Sequence, residues 1–345
     1  MSLQLVWFGL IGLIMAIYAA TDGYDLGVGV LYPFLARTDE ERGVLRQSIG
    51  PVWDGNEVWL LVLGGALFGT FPLAYAIALS AFYLVIMLVL FGLILRAVSL
   101  EFRSHSSGGQ ARLWDAAFFV GSFLPALLFG VAVGNVVRGI KLGPGTGGQP
   151  GDFVGSFSSL LNPYALLVGL TGLAAFVSIG ASWAAFKTEG ALQERAARAR
   201  SWAQAVLVVL LVLTTVYTAL DSATKTQLSD GLSRAMGWVG VALLVAGLGY
   251  GRWAMVAKKD GEAFVGAMTT IFGLMAIGEA GLYPDLVRSL DAGAQAVTIH
   301  NASSSHLTLT VMLVFALVAL PVVIAYQVYV QRIFSGRVGL EDVEY

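Results

Sequence analysis

Cysteine is absent from this 345-residue chain, which excludes disulfides, iron–sulfur clusters and thiolate metal ligands. Histidine occurs only three times, at His105, His300 and His306, too seldom for several haems or a dinuclear metal centre. Charge is scarce as well. Charged residues make up 12% of the chain, about half of the ~25% usual in soluble domains. The formal net charge of -2 leaves no basic footprint for nucleic acid. Apolar residues fill the space that charge vacates, at 57% with a mean hydropathy of +0.78. That balance excludes a soluble globular domain, a disordered chain and a coiled coil. A polytopic all-α membrane protein remains.

A spanning helix needs ~20 mostly apolar residues, and nine segments qualify. They run approximately over Leu3–Phe34, Trp53–Phe71, Leu73–Leu95, Ala116–Val137, Leu160–Phe186, Trp202–Leu220, Met236–Met255, Phe264–Tyr283 and Leu307–Tyr329. Pro72 separates the second from the third, because proline breaks a helix more readily than it sits within one. The first segment lacks a basic n-region and a small-residue cleavage site, so it is expected to stay as an uncleaved helix. Fifteen of the 20 lysines and arginines fall in the odd-numbered loops and the C-terminus, which predicts an outer N-terminus and a cytoplasmic C-terminus. The long polar connections, 139–159, 221–234 and 285–305, then lie outside. Residues Gly143–Pro150 are expected to form a flexible linker without a fold of its own.

Gly9-Leu10-Ile11-Gly12-Leu13 is echoed by Gly169-Leu170-Thr171-Gly172-Leu173. The echo suggests two four-helix bundles, about 3–138 and 160–284, followed by a ninth helix at about 305–332, in one membrane domain. Glycine-dense stretches such as Gly27-Val28-Gly29 and Gly64-Gly65 read as helix contacts. Trp7, Trp53, Trp59, Trp202 and Trp238 fall near span ends, where an interfacial belt belongs.

Ionisable groups inside a span cost ~2.5–3.5 kcal/mol each and call for an explanation. Asp22 and Asp25 are three residues apart, on one face of the first helix. Asp22 lies roughly 28 Å along from Leu3, toward the predicted cytoplasmic side. Asp54 and Glu57 occupy the first turns of the second span, where the helix dipole favours acids, and Arg96 ends the third. Four acids and one arginine therefore converge on the inner ends of three consecutive helices. One arginine cannot neutralise four acids, so a proton pathway stands beside a purely structural reading in which Asp22 pairs with Arg96. Glu279 is alone in the eighth span and reads as a structural or interface group. The histidines read as capping and surface residues, with no bis-imidazole pair for a haem.

The stretches Thr21-Asp22-Gly23-Tyr24-Asp25-Leu26-Gly27 and Gly50-Pro51-Val52-Trp53-Asp54-Gly55-Asn56-Glu57-Val58-Trp59-Leu60 resemble subunit II of cytochrome bd-type quinol oxidases. Further matches include Trp114-Asp115, Gly134-Asn135, Leu161-Asn162-Pro163 and Asn301-Ala302-Ser303-Ser304, so the resemblance covers nearly the whole chain. It implies an enzyme that oxidises quinol, reduces dioxygen to water and generates a proton-motive force without pumping. It further implies a haem-bearing subunit I with two haems b and haem d, and a haemless subunit II. Asp54 then matches the aspartate on the family's proton route from the cytoplasm, and Asp22 and Asp25 match its first-helix motif. Small single-helix subunits and a structural quinone or lipid on this chain are open, as is a bacterial or archaeal plasma membrane. A proton-coupled secondary transporter is the alternative, since intramembrane acids and glycine-rich helices suit one too.

Overall fold

The computed structural model describes residues 2–145, 150–291, 293–339 and 341. The helices in chain order are α1 (Leu3–Leu35), α2 (Asp39–Ile49), α3 (Trp53–Thr70), α4 (Pro72–Ala81), α5 (Tyr83–Ser104) and α6 (Gly108–Arg138). Then come α7 (Phe157–Leu160), α8 (Pro163–Lys187), α9 (Gly190–Leu220), α10 (Lys225–Ser233), α11 (Ala235–Val256) and α12 (Asp260–Leu282). A small antiparallel pair, β1 (Asp285–Val287) and β2 (Val297–Thr298), precedes α13 (His306–Ile333).

Helix starts follow local chemistry. The Thr38 side chain accepts from the Glu41 N–H and opens α2. Asn162 accepts from the Ala165 N–H, with Pro163 in the first turn of α8. Ser305 caps α13 in the same way through the Thr308 N–H.

Among the described residues, eight helices are long and apolar enough to cross a membrane. The predicted Trp53–Phe71 span folds as the 18-residue α3, but Asp54, Asn56 and Glu57 in its first turns dilute its hydropathy and keep it outside those eight. The predicted Leu73–Leu95 segment divides at Phe82 into α4 and α5, and α5 continues to Ser104. Arg96 is thus two turns inside a helix rather than at its end. Its guanidinium is tolerated there because Asp22 and Glu57 pair with it.

The long polar connections hold more order than expected. The Gly143 N–H donates to the Asp152 carbonyl at 2.8 Å, and the Ile140 N–H to the Arg288 carbonyl at 3.0 Å. Thr146–Gln149, the middle of the expected linker, lie outside the described residues.

α1 is the central helix, with an unbroken buried stretch from Tyr18 to Tyr32. It crosses α8 where Gly27 meets Gly180. A Cβ added at Gly27 would lie 1.9 Å from the Phe176 carbonyl oxygen, and one at Gly180 2.4 Å from the Gly27 carbonyl carbon. Only glycine permits this approach. Beside the crossing, Tyr24 stacks on Trp183 with ring centroids 4.3 Å apart. Gly64 and Gly65, expected to pack as well, meet nothing within 4 Å in this chain.

α13 is mostly bare, yet fastened at both ends. The Trp7 indole N–H donates to the Leu309 carbonyl at 3.0 Å. The Trp59 indole N–H donates to Gln327 Oε1 at 2.9 Å, and Gln327 Nε2 donates to the Gly55 carbonyl at 2.8 Å. Trp7 and Trp59 are therefore interior fasteners, 2% and 1% exposed, not members of a belt. Trp202 and Trp238 are exposed, as the belt reading expects.

Candidate functional site

Three helices carry the predicted acid cluster: α1 with Asp22 and Asp25, α3 with Glu57, and α5 with Arg96. Asp22, Asp25 and Arg96 are fully buried. The Arg96 guanidinium lies 2.7 Å from Asp22 Oδ1 through Nη1 and pairs with Glu57 through Nη2. The Tyr18 hydroxyl donates to Asp22 Oδ2 at 2.8 Å from one turn earlier on α1. One turn later, Asn56 Nδ2 donates to Asp25 Oδ2 at 2.8 Å and to the Tyr24 hydroxyl at 2.6 Å. Asp25 Oδ1 has no hydrogen-bond partner among the described residues.

The cluster therefore splits into a salt-bridged part and a neutral-partnered part. Asp22 and Glu57 share one guanidinium, whose planar fork suits two carboxylates at once. Asp25 has an amide, a phenol one bond away and an unfilled oxygen. Asp25 thus makes a hydrogen bond to a neutral amide and no ion pair among the described residues, whereas Asp22 and Glu57 are ion-paired.

Asp54 does not join them. It is exposed on α3 and makes no hydrogen bond or ion pair among the described residues. The difference is one of depth: Asp54 is the second residue of α3, at its exposed start, while Glu57, about one turn farther along the helix, reaches Arg96.

Sequence reasoning missed Tyr18, Tyr24, Asn56 and Gln327 as partners. Tyr18 was findable, four residues before Asp22 on the same helical face. The others meet across long sequence separations and leave no local signal.

A second ionic group sits beyond the cluster, at the end of the molecule that carries α2. The Tyr32 hydroxyl donates to Asp115 Oδ1 at 2.8 Å and accepts from Arg46 at 2.7 Å. Arg103 bridges Asp115 at 2.7 Å and Asp39 at 2.9 Å. Arg195 on α9 ties Glu41 to the Leu35 carbonyl, joining α2 to the second half of the chain. The hydrogen bond from Arg42, with Arg103 nearby, holds the Asp39 carboxyl below its ordinary value. Burial works against the Glu41 carboxylate, but Arg195 and the Arg37 N–H outweigh it and hold its pKa down too.

His105 is exposed after α5, at this end, and His300 and His306 are exposed near the start of α13. Glu279 on α12 is half-buried against Gly12 of α1, with no side-chain hydrogen bond or ion pair among the described residues. The described residues contain no group of three or more histidines and acids able to hold a metal ion.

Comparison with known proteins agrees with this architecture. The family "Cytochrome bd terminal oxidase subunit II" matches residues 3–334. The chain is 32% identical over 373 residues to the cytochrome bd-I ubiquinol oxidase subunit 2 of Escherichia coli K12, covering 99% of this chain and 97% of that one. It is 32% identical over 346 residues to the cytochrome bd ubiquinol oxidase subunit 2 of Bacillus subtilis, covering 99% and 98%. A chain of the bd oxidase from Geobacillus thermodenitrificans shares the fold, with a TM-score of 0.76, 17% identity and coverage of 97% of this chain and 99% of that one.

Proposed function

The chain belongs to the cytochrome bd terminal oxidase subunit II family, and from that premise we propose that it is the haemless second subunit of a quinol:oxygen oxidoreductase in a bacterial plasma membrane. Membership implies a complex with haems, quinol and a partner subunit I. The family match from residue 3 to residue 334 carries the reading. In it, two haems b and haem d are ligated by the partner. The residues here do not suit a haem: the three histidines are exposed and divided between two ends, and none faces another across a span.

The nine-span topology belongs to the same proposal, with α4 and α5 as one broken span, the N-terminus outside and the end bearing α2 in the cytoplasm. Two bundles followed by α13 fit it. Gly12 on α1 meets α12, and Gly172 on α8 meets Gly130 on α6, so the first helix of each half leans on the last helix of the other. That exchange is what a pseudo-two-fold relation would produce.

This chain's task in the complex is to buttress subunit I and conduct protons toward it. Reducing one dioxygen to two waters takes four electrons and four protons. If two quinols supply the electrons and shed their protons outside, while the consumed protons come from the cytoplasm, charge crosses the membrane without pumping. Asp54 is the entry candidate. It heads an uncovered stripe on α3 with Val58, Leu61 and Phe68, the last two 75% and 62% exposed. Subunit I, docked on this stripe and on bare Gly64-Gly65, would enclose Asp54 at the interface. Asp25 and Asp22 lie deeper and can hold or relay protons, and Glu57 with Arg96 fixes the local field.

The test is purification of the complex from membranes with a tag on this chain, followed by a reduced-minus-oxidised spectrum and quinol-driven oxygen consumption. Haem absorbance from a co-purifying second polypeptide, with oxidase activity, is expected. A haem-free chain that is stable alone and carries solutes would overturn the reading in favour of a transporter.

A further inference from the structure

Away from the acid cluster, on the exposed side of α9 and α11, lies an open groove of about 670 Å³. That volume is within the usual ~300–1,000 Å³ range of small-molecule sites. Its walls change character with depth. Ser201 and Trp202 on α9 and Arg252 on α11 lie toward the end that carries α2, and Ala205, Val208, Leu248 and Gly249 lie deeper along the helices. Val208 is seven residues beyond Ser201, roughly 10 Å farther along α9 at 1.5 Å per residue.

The groove is built rather than incidental. Gln204 Nε2 donates to the Leu248 carbonyl at 3.0 Å and bridges the two helices behind it. A Cβ added at Gly249 would meet nothing within 4 Å, so the floor is open. Trp202 stands 75% exposed at the rim. Arg252 is exposed and makes no ion pair or hydrogen bond among the described residues. Two neighbouring cations are engaged elsewhere: Arg200 with Asp260 at 3.0 Å, and Lys259 with Glu262 at 2.9 Å.

We propose that the α9–α11 groove is a binding site for an anionic phospholipid of the leaflet on the α2 side, with its phosphate at Arg252 and Ser201 and an acyl chain along Ala205, Val208, Leu248 and Gly249. The chemistry matches at each depth. An unpaired guanidinium and a hydroxyl suit a phosphodiester, an indole at the rim suits the headgroup boundary, and the apolar length below suits a hydrocarbon tail. A basic side chain at the membrane surface favours anionic over zwitterionic lipid by charge alone. A free anion would leave the apolar floor unfilled, which is why the occupant is a lipid.

The test uses the intact detergent-purified complex, delipidated and titrated with phosphatidylglycerol or phosphatidylcholine under native mass spectrometry. Phosphatidylglycerol is expected to bind at one site at least fivefold tighter than phosphatidylcholine. Arg252→Gln should remove that fivefold preference, equivalent to ~1 kcal/mol, and Arg332→Gln on α13 should not. Gly249→Phe, which fills the floor, should abolish the site for both lipids. Binding unchanged by both Arg252→Gln and Gly249→Phe would overturn the proposal, as would tight retention of a quinone instead of phospholipid in this groove. Haem content of each variant separates failure of the groove from failure of the assembly.

Discussion

α1 meets acidic side chains at two heights, and the surroundings differ. Toward the end bearing α2, Asp22 faces Arg96, Glu57 and the Tyr18 hydroxyl, all drawn tightly together. Toward the other end, Gly12 faces Glu279, which has no charged partner among the described residues. The first site is a network, in which removing one member strands the charge of another. The second is one acid wedged against a glycine, where shape counts more than charge. A buried charge is tolerated through its partners or through its access to water and a neutral form. The contrast teaches that an acid within a span is not one kind of feature.

Arg96→Gln attacks the contrast hardest. It leaves Asp22 buried without its cation, at a cost of ~3–5 kcal/mol, and should remove most assembled complex from the membrane, measured as haem per milligram of membrane protein. Adding Asp22→Asn to Arg96→Gln should recover part of the yield. Glu279→Gln should leave the yield near wild type; equal losses from Arg96→Gln and Glu279→Gln would erase the distinction.

Next comes shape. A Cβ at Gly12 would lie 2.1 Å from Glu279 Oε2, so Gly12→Leu should cost ~1–3 kcal/mol of overpacking. Thermal unfolding of the purified complex would show it, and Glu279→Ala in the same chain should restore much of the loss. No rescue would mean that the obstruction lies elsewhere.

Asp54→Asn sharpens the proton side. Quinol-driven oxygen consumption should fall at least about tenfold, ~1.4 kcal/mol on the barrier, at unchanged haem content. The oxidase activity of Glu279→Gln should stay within about twofold, under ~0.5 kcal/mol. Full activity in Asp54→Asn would remove that residue from the route.

The smallest effect lies outside the spans. Asp39 and Glu41 have folded pKa values below their ordinary ones. Their contribution is present above the unfolded carboxylate range of ~4 and is lost as pH falls through the depressed folded values. Both are near water, so screening holds Glu41 to under ~1 kcal/mol. The melting temperature of Glu41→Gln should lie slightly below wild type at pH 7 and converge with it below about pH 4. A gap that widens in acid would refute the assignment.

Much of this was legible before any coordinates. Most segment limits anticipated the helices within a few residues, but α6 and α9 begin well before the expected Ala116 and Trp202, at Gly108 and Gly190, because their first turns are polar, and α5 passes through Arg96 and divides from α4 at Phe82. The i,i+3 spacing of Asp22 and Asp25 and the pairing of Asp22 with Arg96 were within reach. The expected gathering of Asp54 with the others was not met, and Trp7 and Trp59 turned inward because Leu309 and Gln327 accept their N–H groups. Those acceptors lie 302 and 268 residues away in the chain.

Composition and hydropathy were enough to determine that this chain forms membrane-spanning helices, because in lipid each backbone N–H and C=O has to be satisfied within its own segment. The Trp-Asp-Gly-Asn stretch was enough to point to the family. Which face of each helix turns inward was decided only by tertiary packing. Lipid-facing and protein-facing sides are almost equally apolar here, so a helix's rotation leaves little trace in its own hydropathy. That rotation is what buried Asp25, placed Arg96 between two acids, left Asp54 bare and opened a groove beside Arg252.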